Sequence, residues 1–402
     1  MLKGKTIILG VTGGIAVYKA ADVVSRLKKQ GANVEVIMTD GAMEFVNPLT
    51  FQTMSNNPVH NSMFNKIEKF NVEHISLAQK ADIILVAPAT ANTIGKIANG
   101  IADNLLTTVI MASNAKIIFA PAMNTAMYTN PIFQSNMKKL EDLGYEFISP
   151  GVGILACGDY GAGKMAEPEY IVEYIRGALM EKDLLGQRIV ITAGPTIEPI
   201  DPVRYITNHS SGKMGYSLAR EARDRGAEVV LISGPTHLSP PDGVKVVDIN
   251  TTVEMFDEVG RYFNDCDVLI KSAAPSDYRP EKSMENKIKK KDGEIDELNI
   301  KFVRNPDIAE YFGAKKEEQI IVGFAAETDN LYEYASKKLK KKNFNFIVAN
   351  DVTKRGAGFK SDTNIVTIIH QSGKIDEYPI MSKESVAKII MDEISNIIKN
   401  KS

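Results

Sequence analysis

Residues 6–19 read Thr-Ile-Ile-Leu-Gly-Val-Thr-Gly-Gly-Ile-Ala-Val-Tyr-Lys. A short continuous apolar run over 6–9, a glycine turn and an amphipathic stretch over 15–30 closed by Gly31 predict a buried strand, a tight turn and a helix. The same alternation continues outward. Apolar runs over 34–38, 82–87 and 116–120 read as further strands. Strands that alternate with helical patterns imply an α/β fold with a mostly parallel, doubly wound sheet. The segment 147–168 is rich in glycine with few periodic apolar positions, so it reads as a long loop of the functional or mobile kind. A helix over 168–180 closes this half.

The polar stretch 181–187 reads as a linker, after which the pattern restarts. Strands are expected over 189–192, 228–232, 268–273, 319–323 and 346–349. Helices are expected over 212–225, 251–262, 329–342 and 383–398. Residues 279–296 are charged and loop-like, and 363–369 with 374–378 resemble a hairpin across Ser372-Gly373. The expectation is two Rossmann-like domains, 1–180 and 187–402, that begin alike but show no further repeat.

Composition agrees and excludes alternatives. A chain of 402 residues is too long for one ordinary core. It is 44% apolar and 24% charged, which excludes wholesale disorder and a disulfide scaffold. A formal net charge of −2 leaves no basic excess for nonspecific binding to nucleic acid or a membrane surface. No apolar run approaches the ~18 residues of a membrane span. Two distant cysteines, Cys157 and Cys266, fit a reducing, cytoplasmic setting, and no Cys/His cluster has zinc-ligand spacing.

The turn Gly10-Val11-Thr12-Gly13-Gly14 opens onto a helix N-terminus, whose unpaired N–H groups and positive dipole end suit a phosphate. Its spacing is not GxGxxG, which favours a mononucleotide such as FMN over a dinucleotide. Two later strand ends carry polar loops, Ala87-Pro88-Ala89-Thr90-Ala91-Asn92 and Pro121-Ala122-Met123-Asn124. Ligands in open α/β sheets sit at such carboxyl ends. His74 precedes a short helical segment; it is either a surface histidine capping that helix or a base kept neutral by the helix start.

These residues resemble the homo-oligomeric flavin-containing cysteine decarboxylases over nearly all of 1–180. The resemblance rests on the 10–19 loop, His74-Ile75-Ser76-Leu77, Pro121-Ala122-Met123-Asn124-Thr125-Ala126-Met127, Ala156-Cys157-Gly158-Asp159 and Gly163-Lys164-Met165-Ala166-Glu167-Pro168. Tyr128 stands where the family usually has tryptophan. The resemblance implies FMN held by Gly10, Thr12, Gly13, Gly14, Thr39, Ala89, Thr90 and Asn92. It implies His74 as base for oxidation of the substrate thiol, Asn124 on the substrate carboxylate, and Cys157 as proton donor to the enethiolate left after CO₂ departs. Thiol oxidation creates the electron sink the carboxylate lacks, and its reversal leaves no net redox change. The bland reading of Cys157 is a buried filler.

In the second half, Gly194-Pro195-Thr196-Ile197-Glu198-Pro199 follows a strand, and Thr207-Asn208-His209-Ser210-Ser211-Gly212-Lys213-Met214-Gly215 opens a helix. Ser, Thr and Gly donors at a helix start form an anion site, without Walker A spacing. The lysines of 336–342 are a solvated face on the bland reading. Lys338 and Lys342 are four apart, however, and share a side that could reach a polyphosphate.

This half resembles the phosphopantothenate–cysteine ligases. The resemblance rests on Ser210-Ser211-Gly212-Lys213-Met214-Gly215, Asp277-Tyr278-Arg279-Pro280, Lys287-Ile288-Lys289-Lys290, Asn305-Pro306-Asp307 and Val348-Ala349-Asn350-Asp351. The family's alanine-rich run is altered to Lys271-Ser272-Ala273-Ala274-Pro275-Ser276. The resemblance implies activation of 4′-phosphopantothenate by CTP with Mg²⁺, then attack of L-cysteine on the acyl-cytidylate. Asp277, Lys287, Asn305, Pro306, Asp307, Ile308, Phe324, Lys338 and Lys342 map to CTP contacts, with Lys287 also serving the activation step. Asn208 maps to the residue that handles the acyl-cytidylate, and 208–215 lies near a dimer contact, so Ser211 and Lys213 could be structural. The order decarboxylase then ligase is that of the bifunctional enzymes of coenzyme A biosynthesis. Rival readings are a non-catalytic regulatory flavoprotein, and a flavin-dependent decarboxylase of another cysteine-containing substrate.

Overall fold

The computed structural model describes residues 2–63, 73–155, 158–288, 298–327, 331–351, 358 and 361–401. Cys157, Lys289 and Lys290 lie outside the described residues. The chain divides into two compact units, Met1–Met180 and Glu181–Ser402.

In the first unit, β1 (Thr6–Val11), β2 (Asn33–Met38), β3 (Val59–His60), β4 (Ile83–Ala89), β5 (Lys116–Pro121) and β6 (Glu146–Phe147) form a sheet in the order β3-β2-β1-β4-β5-β6. Its pairings are parallel. Ile7, Leu9 and Val11 pack on one face against Val23, Val24 and Leu27 of the helix Val17–Lys29. Ile8, Ile84 and Val86 pack on the other face against Leu105 and Val109 of the helix Leu105–Ala112. Burial on both faces explains why these strands read as unbroken apolar runs. Strand order reverses between β1 and β4, which opens a crevice at their carboxyl ends. The segment expected to be a loop contains an antiparallel hairpin, β7 (Gly151–Ile154) with β8 (Tyr160–Lys164). Its glycines and its exposed Val152, Ile154 and Tyr160 hide the period-2 signal of a half-buried strand.

In the second unit, 181–187 is part of the fold and does not serve as a free linker. Leu184 is fully buried, its N–H donates to Arg225 O at 3.1 Å, and Asp183 pairs with the Arg225 guanidinium. The strands are β9 (Arg188–Ala193), β10 (Ile197–Pro199), β11 (Tyr205–Thr207), β12 (Glu228–Ser233), β13 (Lys245–Asp248), β14 (Val268–Lys271) and β15 (Tyr278–Pro280). They continue with β16 (Phe302–Arg304), β17 (Ile320–Glu327), β18 (Phe346–Asp351), β19 (Thr363–Asn364), β20 (Val366–His370), β21 (Ile375–Glu377) and β22 (Met381–Ser382). The main sheet runs β13-β12-β9-β14-β17-β18-β20-β21, parallel except where β20 meets β18 and β21. The hairpin across Ser372-Gly373 forms as expected, but β19 leaves it to pair with β22. The strand expected over 268–273 ends at Lys271, because Ser272 turns away and donates to Thr192 O at 2.7 Å. Strand order reverses between β9 and β14, which places a second crevice. No described helix is long and apolar enough to cross a membrane.

Candidate functional site

The first crevice is a cavity of about 1160 Å³ at the carboxyl edge of β1, β4 and β5. Gly13, Gly14, Thr39, Thr90, Asn92 and Asn124 all line it. The helix Val17–Lys29 starts here with Ala16 as N-cap, no side-chain capping bond and no acidic residue in its first turn. Val17 N and Lys19 N already donate within the turn, to Gly14 O and Ala16 O at 3.0 Å each, so what favours an anion here is the positive dipole end without a competing acidic side chain. A Cβ on Gly13 would meet the Gly41 backbone at 2.8 Å, so only glycine lets these two loops close around the opening. Volume, uncapped helix start and glycine cradle fit a mononucleotide.

Three residues expected at the flavin do other work. A Cβ on Gly10 would meet the Leu106 side chain at 2.5 Å, so Gly10 makes room for packing beneath the crevice. Ala89 is fully buried in β4. Thr12 is 1% exposed; its hydroxyl donates to Pro88 O at 2.7 Å and accepts from Thr90 N at 3.1 Å. That hydroxyl fastens two loops together, its proton engaged by Pro88 O. Asn124 caps the short helix Thr125–Tyr128, accepting from Ala126 N at 2.8 Å, while its amide donates to Asp159 Oδ2 at 3.0 Å. His74 lies on the helix Glu73–Lys80, away from the cavity wall. The structure thus gathers Asn124 and the anion cradle but does not bring His74 to them. Cavity residues that sequence reasoning missed include Ser62, Met63 and Lys19, the last ion-paired to Glu167 at 2.9 Å. Ser62 and Met63 come from a segment in which no motif is read, whereas Lys19 closes the 10–19 loop, which is read only for its glycines and Thr12.

The second crevice, about 300 Å³, lies at the carboxyl edge of β14, β17 and β18. Asp277, Asn305, Pro306, Asp307, Ile308, Phe324, Lys338 and Lys342 converge on it, as do Ser210 to Gly215. Gly212 holds the left-handed conformation at φ 76°, and a Cβ there would meet Thr236 Cγ2 at 2.6 Å. Asn305 is a fastener: its amide donates to Ser276 O at 2.8 Å and its carbonyl accepts from Arg279 Nη1 at 2.8 Å. Lys342 pairs with Asp307 at 2.9 Å. The Asp307 carboxyl sits below its ordinary range: burial pushes it up, but the Glu310 N–H and the Lys342 ammonium outweigh that.

Lys287 and Asn208 do not line this cavity. Asn208 borders it, donating to Ala274 O at 2.9 Å and Pro275 O at 3.2 Å. The segment carrying Lys287 is tied down by Asp201 and Arg204: Ile288 N donates to Asp201 Oδ2 at 3.1 Å and Arg204 Nη2 donates to Ile288 O at 2.9 Å. Sequence reasoning also missed Lys271, which ends β14 inside the crevice. Burial, then the nearby Lys342 ammonium, push the Lys271 amine down to about 8, against the opposing pull of Asp307. A charged residue closing an apolar strand was its signal. Among the described residues, one group of three possible metal ligands occurs, His370, Asp376 and Glu393. It lies on the β20–β21 hairpin and the helix Lys383–Lys401, outside the crevice, and Asp376 is already paired with Lys374 at 2.7 Å.

Comparison with known proteins supplies the family. The family described as Flavoprotein matches residues 1–180, and that described as DNA/pantothenate metabolism flavoprotein C-terminal domain matches 184–398. The coenzyme A biosynthesis bifunctional protein CoaBC of Bacillus subtilis (strain 168) is 47% identical over 99% of this chain and 98% of its own. That of Vibrio cholerae serotype O1 is 45% identical over 97% of this chain and 98% of its own. A crystal structure of the C-terminal domain of a CoaBC protein is 42% identical, covering 55% of this chain and all of that one, with a TM-score of 0.47. Matched in both halves, in this order and along nearly its whole length, the chain belongs to the family of bifunctional coenzyme A biosynthesis proteins.

Proposed function

We infer that the chain makes 4′-phosphopantetheine in two consecutive steps. The second unit joins 4′-phosphopantothenate to L-cysteine with CTP, and the first unit decarboxylates the product with FMN. One observation carries this reading: each unit has its own crevice at the carboxyl edge of its own sheet. One crevice is shaped for a mononucleotide, and the other gathers Lys338 and Lys342 beside Asp277 and Phe324. The family matches follow the same order.

In the first unit, Gly13, Gly14, Thr39, Thr90 and Asn92 would hold FMN. When bound, FMN supplies the oxidation of the substrate thiol and its later reversal. Asn124 exchanges the Asp159 carboxylate for that of the substrate, a like-for-like replacement at the same donor. His74 takes the thiol proton, a role that requires it to reach a cavity whose described lining does not include it. Cys157 returns a proton to carbon after CO₂ has left.

In the second unit, the substrate carboxylate attacks the α-phosphorus of CTP and pyrophosphate leaves. Lys287, Lys338 and Lys342 offset the charge that develops. The cysteine amine then attacks the acyl carbon, CMP departs and one proton is released. Asn208 donates to the acyl oxygen as it gains charge. Mg²⁺ would enter with the phosphates that hold most of its shell, and Asp277 is a carboxylate the crevice offers it. The reading includes a cytoplasmic setting and several copies per particle. Exposed Val203, Tyr205 and Ile206, beside 208–215, support a contact between ligase units there.

The test is the visible spectrum of the purified full chain, with an assay of each step. A flavin band, CTP-dependent release of pyrophosphate and CMP, and CO₂ from the ligated product are expected. No flavin band after reconstitution with FMN would sink the first half. No pyrophosphate from CTP and 4′-phosphopantothenate would sink the second.

A further inference from the structure

His60 ends β3 in parallel register with Ile37 of β2. Glu35 lies two residues before Ile37, so its side chain shares the face of the sheet that His60 occupies. The imidazole sits between two carboxylates: Nδ1 bonds Glu73 Oε1, and Nε2 is 3.4 Å from Glu35 Oε2. Glu73 is the first residue of the helix Glu73–Lys80, and His74 is the second. Asn61, Ser62 and Met63, which follow His60 directly, line the flavin crevice. One imidazole therefore joins the sheet, the crevice wall and the start of the helix that carries His74.

A neutral imidazole has one N–H and can donate to one carboxylate. An imidazolium donates to both. We propose that His60 is a protonation-dependent clamp: as imidazolium it ties Glu73 to Glu35 and so positions His74, the next residue along the helix. The proposal rests on the reading of His74 as the base of thiol oxidation, and it makes His60 a positioning residue that does not itself touch substrate.

The electrostatics favour the charged form. Burial alone lowers the affinity of His60 for its proton, but hydrogen bonds to Glu35 and Glu73 outweigh that and raise it from its ordinary value. Glu35 is lowered in turn, chiefly by its bond to His60 against the cost of burial. Among the described residues, the charged groups facing the imidazole are Glu35 from β2 and Glu73 from the helix, while Asn33 and Lys80 act on Glu35. The flanking helices Pro48–Ser55 and Leu105–Ala112 carry no ionisable side chain. For a group whose folded pKa is raised, the stabilisation is complete below about pH 6.5 and is lost as pH rises through the folded value. The clamp therefore opens on the alkaline side.

The experiment uses the flavin-loaded full chain and its His60→Gln and Glu73→Gln variants, with two readouts. The first is hydrogen–deuterium exchange of the amides of 75–80 between pH 6 and 9, corrected for intrinsic exchange. Wild type should lose protection as pH rises; His60→Gln should be less protected at pH 6 and show no such step. The second is the pH profile of decarboxylation. Wild type should show a one-proton alkaline limb that His60→Gln lacks. At pH 6.5 kcat should fall about tenfold or more in either variant, the cost of a misplaced catalytic group, with KM nearly unchanged. Identical exchange profiles in wild type and His60→Gln would overturn the clamp. A clamp seen by exchange, with decarboxylation unchanged in both variants, would overturn its role in positioning His74. If His74→Asn decarboxylates at the wild-type rate, the reading of His74 fails, while the exchange result still decides the clamp.

Discussion

The side-chain amide of Asn124 donates to Asp159 Oδ2 at 3.0 Å, across 35 positions of sequence. The bond joins the loop after β5 to the β7–β8 hairpin, two residues beyond Cys157. The carbonyl of the same side chain caps the helix Thr125–Tyr128. One residue thus has a donor end for a carboxylate and an acceptor end for the backbone.

The two ends can be separated. Asn124→Asp keeps the cap acceptor but turns the donor into a carboxylate facing Asp159 and the substrate carboxylate. The loss of a charge-assisted hydrogen bond, worth ~1.5–3 kcal/mol, should lower kcat/KM of decarboxylation about 10- to 100-fold. Ligase turnover by the same chain should not change. Asn124→Ala should lose activity and also about 1 kcal/mol of stability with the cap. Decarboxylation at the wild-type rate by Asn124→Asp would refute the assignment.

Thr12 makes a different prediction from the one its motif suggests. Its buried hydroxyl joins Pro88 O to Thr90 N. Thr12→Val keeps the shape and leaves that donor and acceptor unpaired, which should cost ~1–3 kcal/mol. The cost should appear in thermal unfolding of the flavin-free protein. A normal flavin-free stability with weakened FMN binding would instead make Thr12 a phosphate ligand.

The contrast shows what the sequence could and could not convey. Short apolar runs such as 83–87 and 117–120 announced parallel strands because both of their faces are buried. The glycine turn at 10–14 announced a crevice, but not which of its residues face into it. Gly10 packs under Leu106 and Thr12 points toward Pro88, and both facts depend on segments some 75 to 95 positions away. The Gly-rich 151–164 region gave no strand signal because its glycines interrupt it and Val152, Ile154 and Tyr160 are exposed. Lys271 was legible only as a charge ending an apolar strand; its environment comes from Asp307 and Lys342, which no local pattern links to it.

Lys271 should therefore give the ligase a proton linkage. Its amine titrates at about 8, well below the ordinary lysine value. The folded state then binds fewer protons than the unfolded one between about pH 8 and 10.4, so stability should rise with pH across that window. Lys271→Met should abolish this component and stabilise the protein at pH 7. A triphosphate in the crevice favours the charged amine. Calorimetric titration of CTP at pH 8, in buffers of different ionisation enthalpy, should show proton uptake by wild type and less by Lys271→Met. Equal uptake by both would rule out Lys271 as the source.

The last prediction concerns how Lys287 is held. Asp201 is 3% exposed, and its carboxylate accepts from Val203 N at 2.9 Å, Arg204 N at 2.8 Å and Ile288 N at 3.1 Å. It also receives Arg204 Nε at 3.0 Å and Nη2 at 2.6 Å, a two-point guanidinium grip. The Arg204 side chain, helped by these backbone donors and against the opposing push of burial, holds the Asp201 carboxyl far below the usual carboxylate range. For a depressed carboxyl the stabilisation is present above about pH 4 and is lost as pH falls through the folded value, so it is complete at neutral pH. Asp201→Asn is nearly isosteric but removes the charge and replaces an acceptor oxygen with a donor aimed at donors. The segment of Ile288 and its neighbour Lys287 should come loose, while the crevice lined by Lys338 and Lys342 stays formed. CTP binding should then persist, and pyrophosphate release from CTP and 4′-phosphopantothenate should slow by about tenfold or more, as for a catalytic cation displaced by an ångström. Arg204→Lys, which keeps the charge but loses the fork, should show the same defect in milder form. Asn208→Asp acts after activation in this scheme, so it should release pyrophosphate and accumulate the acyl-cytidylate. Pyrophosphate release at the wild-type rate by Asp201→Asn would mean that Lys287 does not depend on this grip.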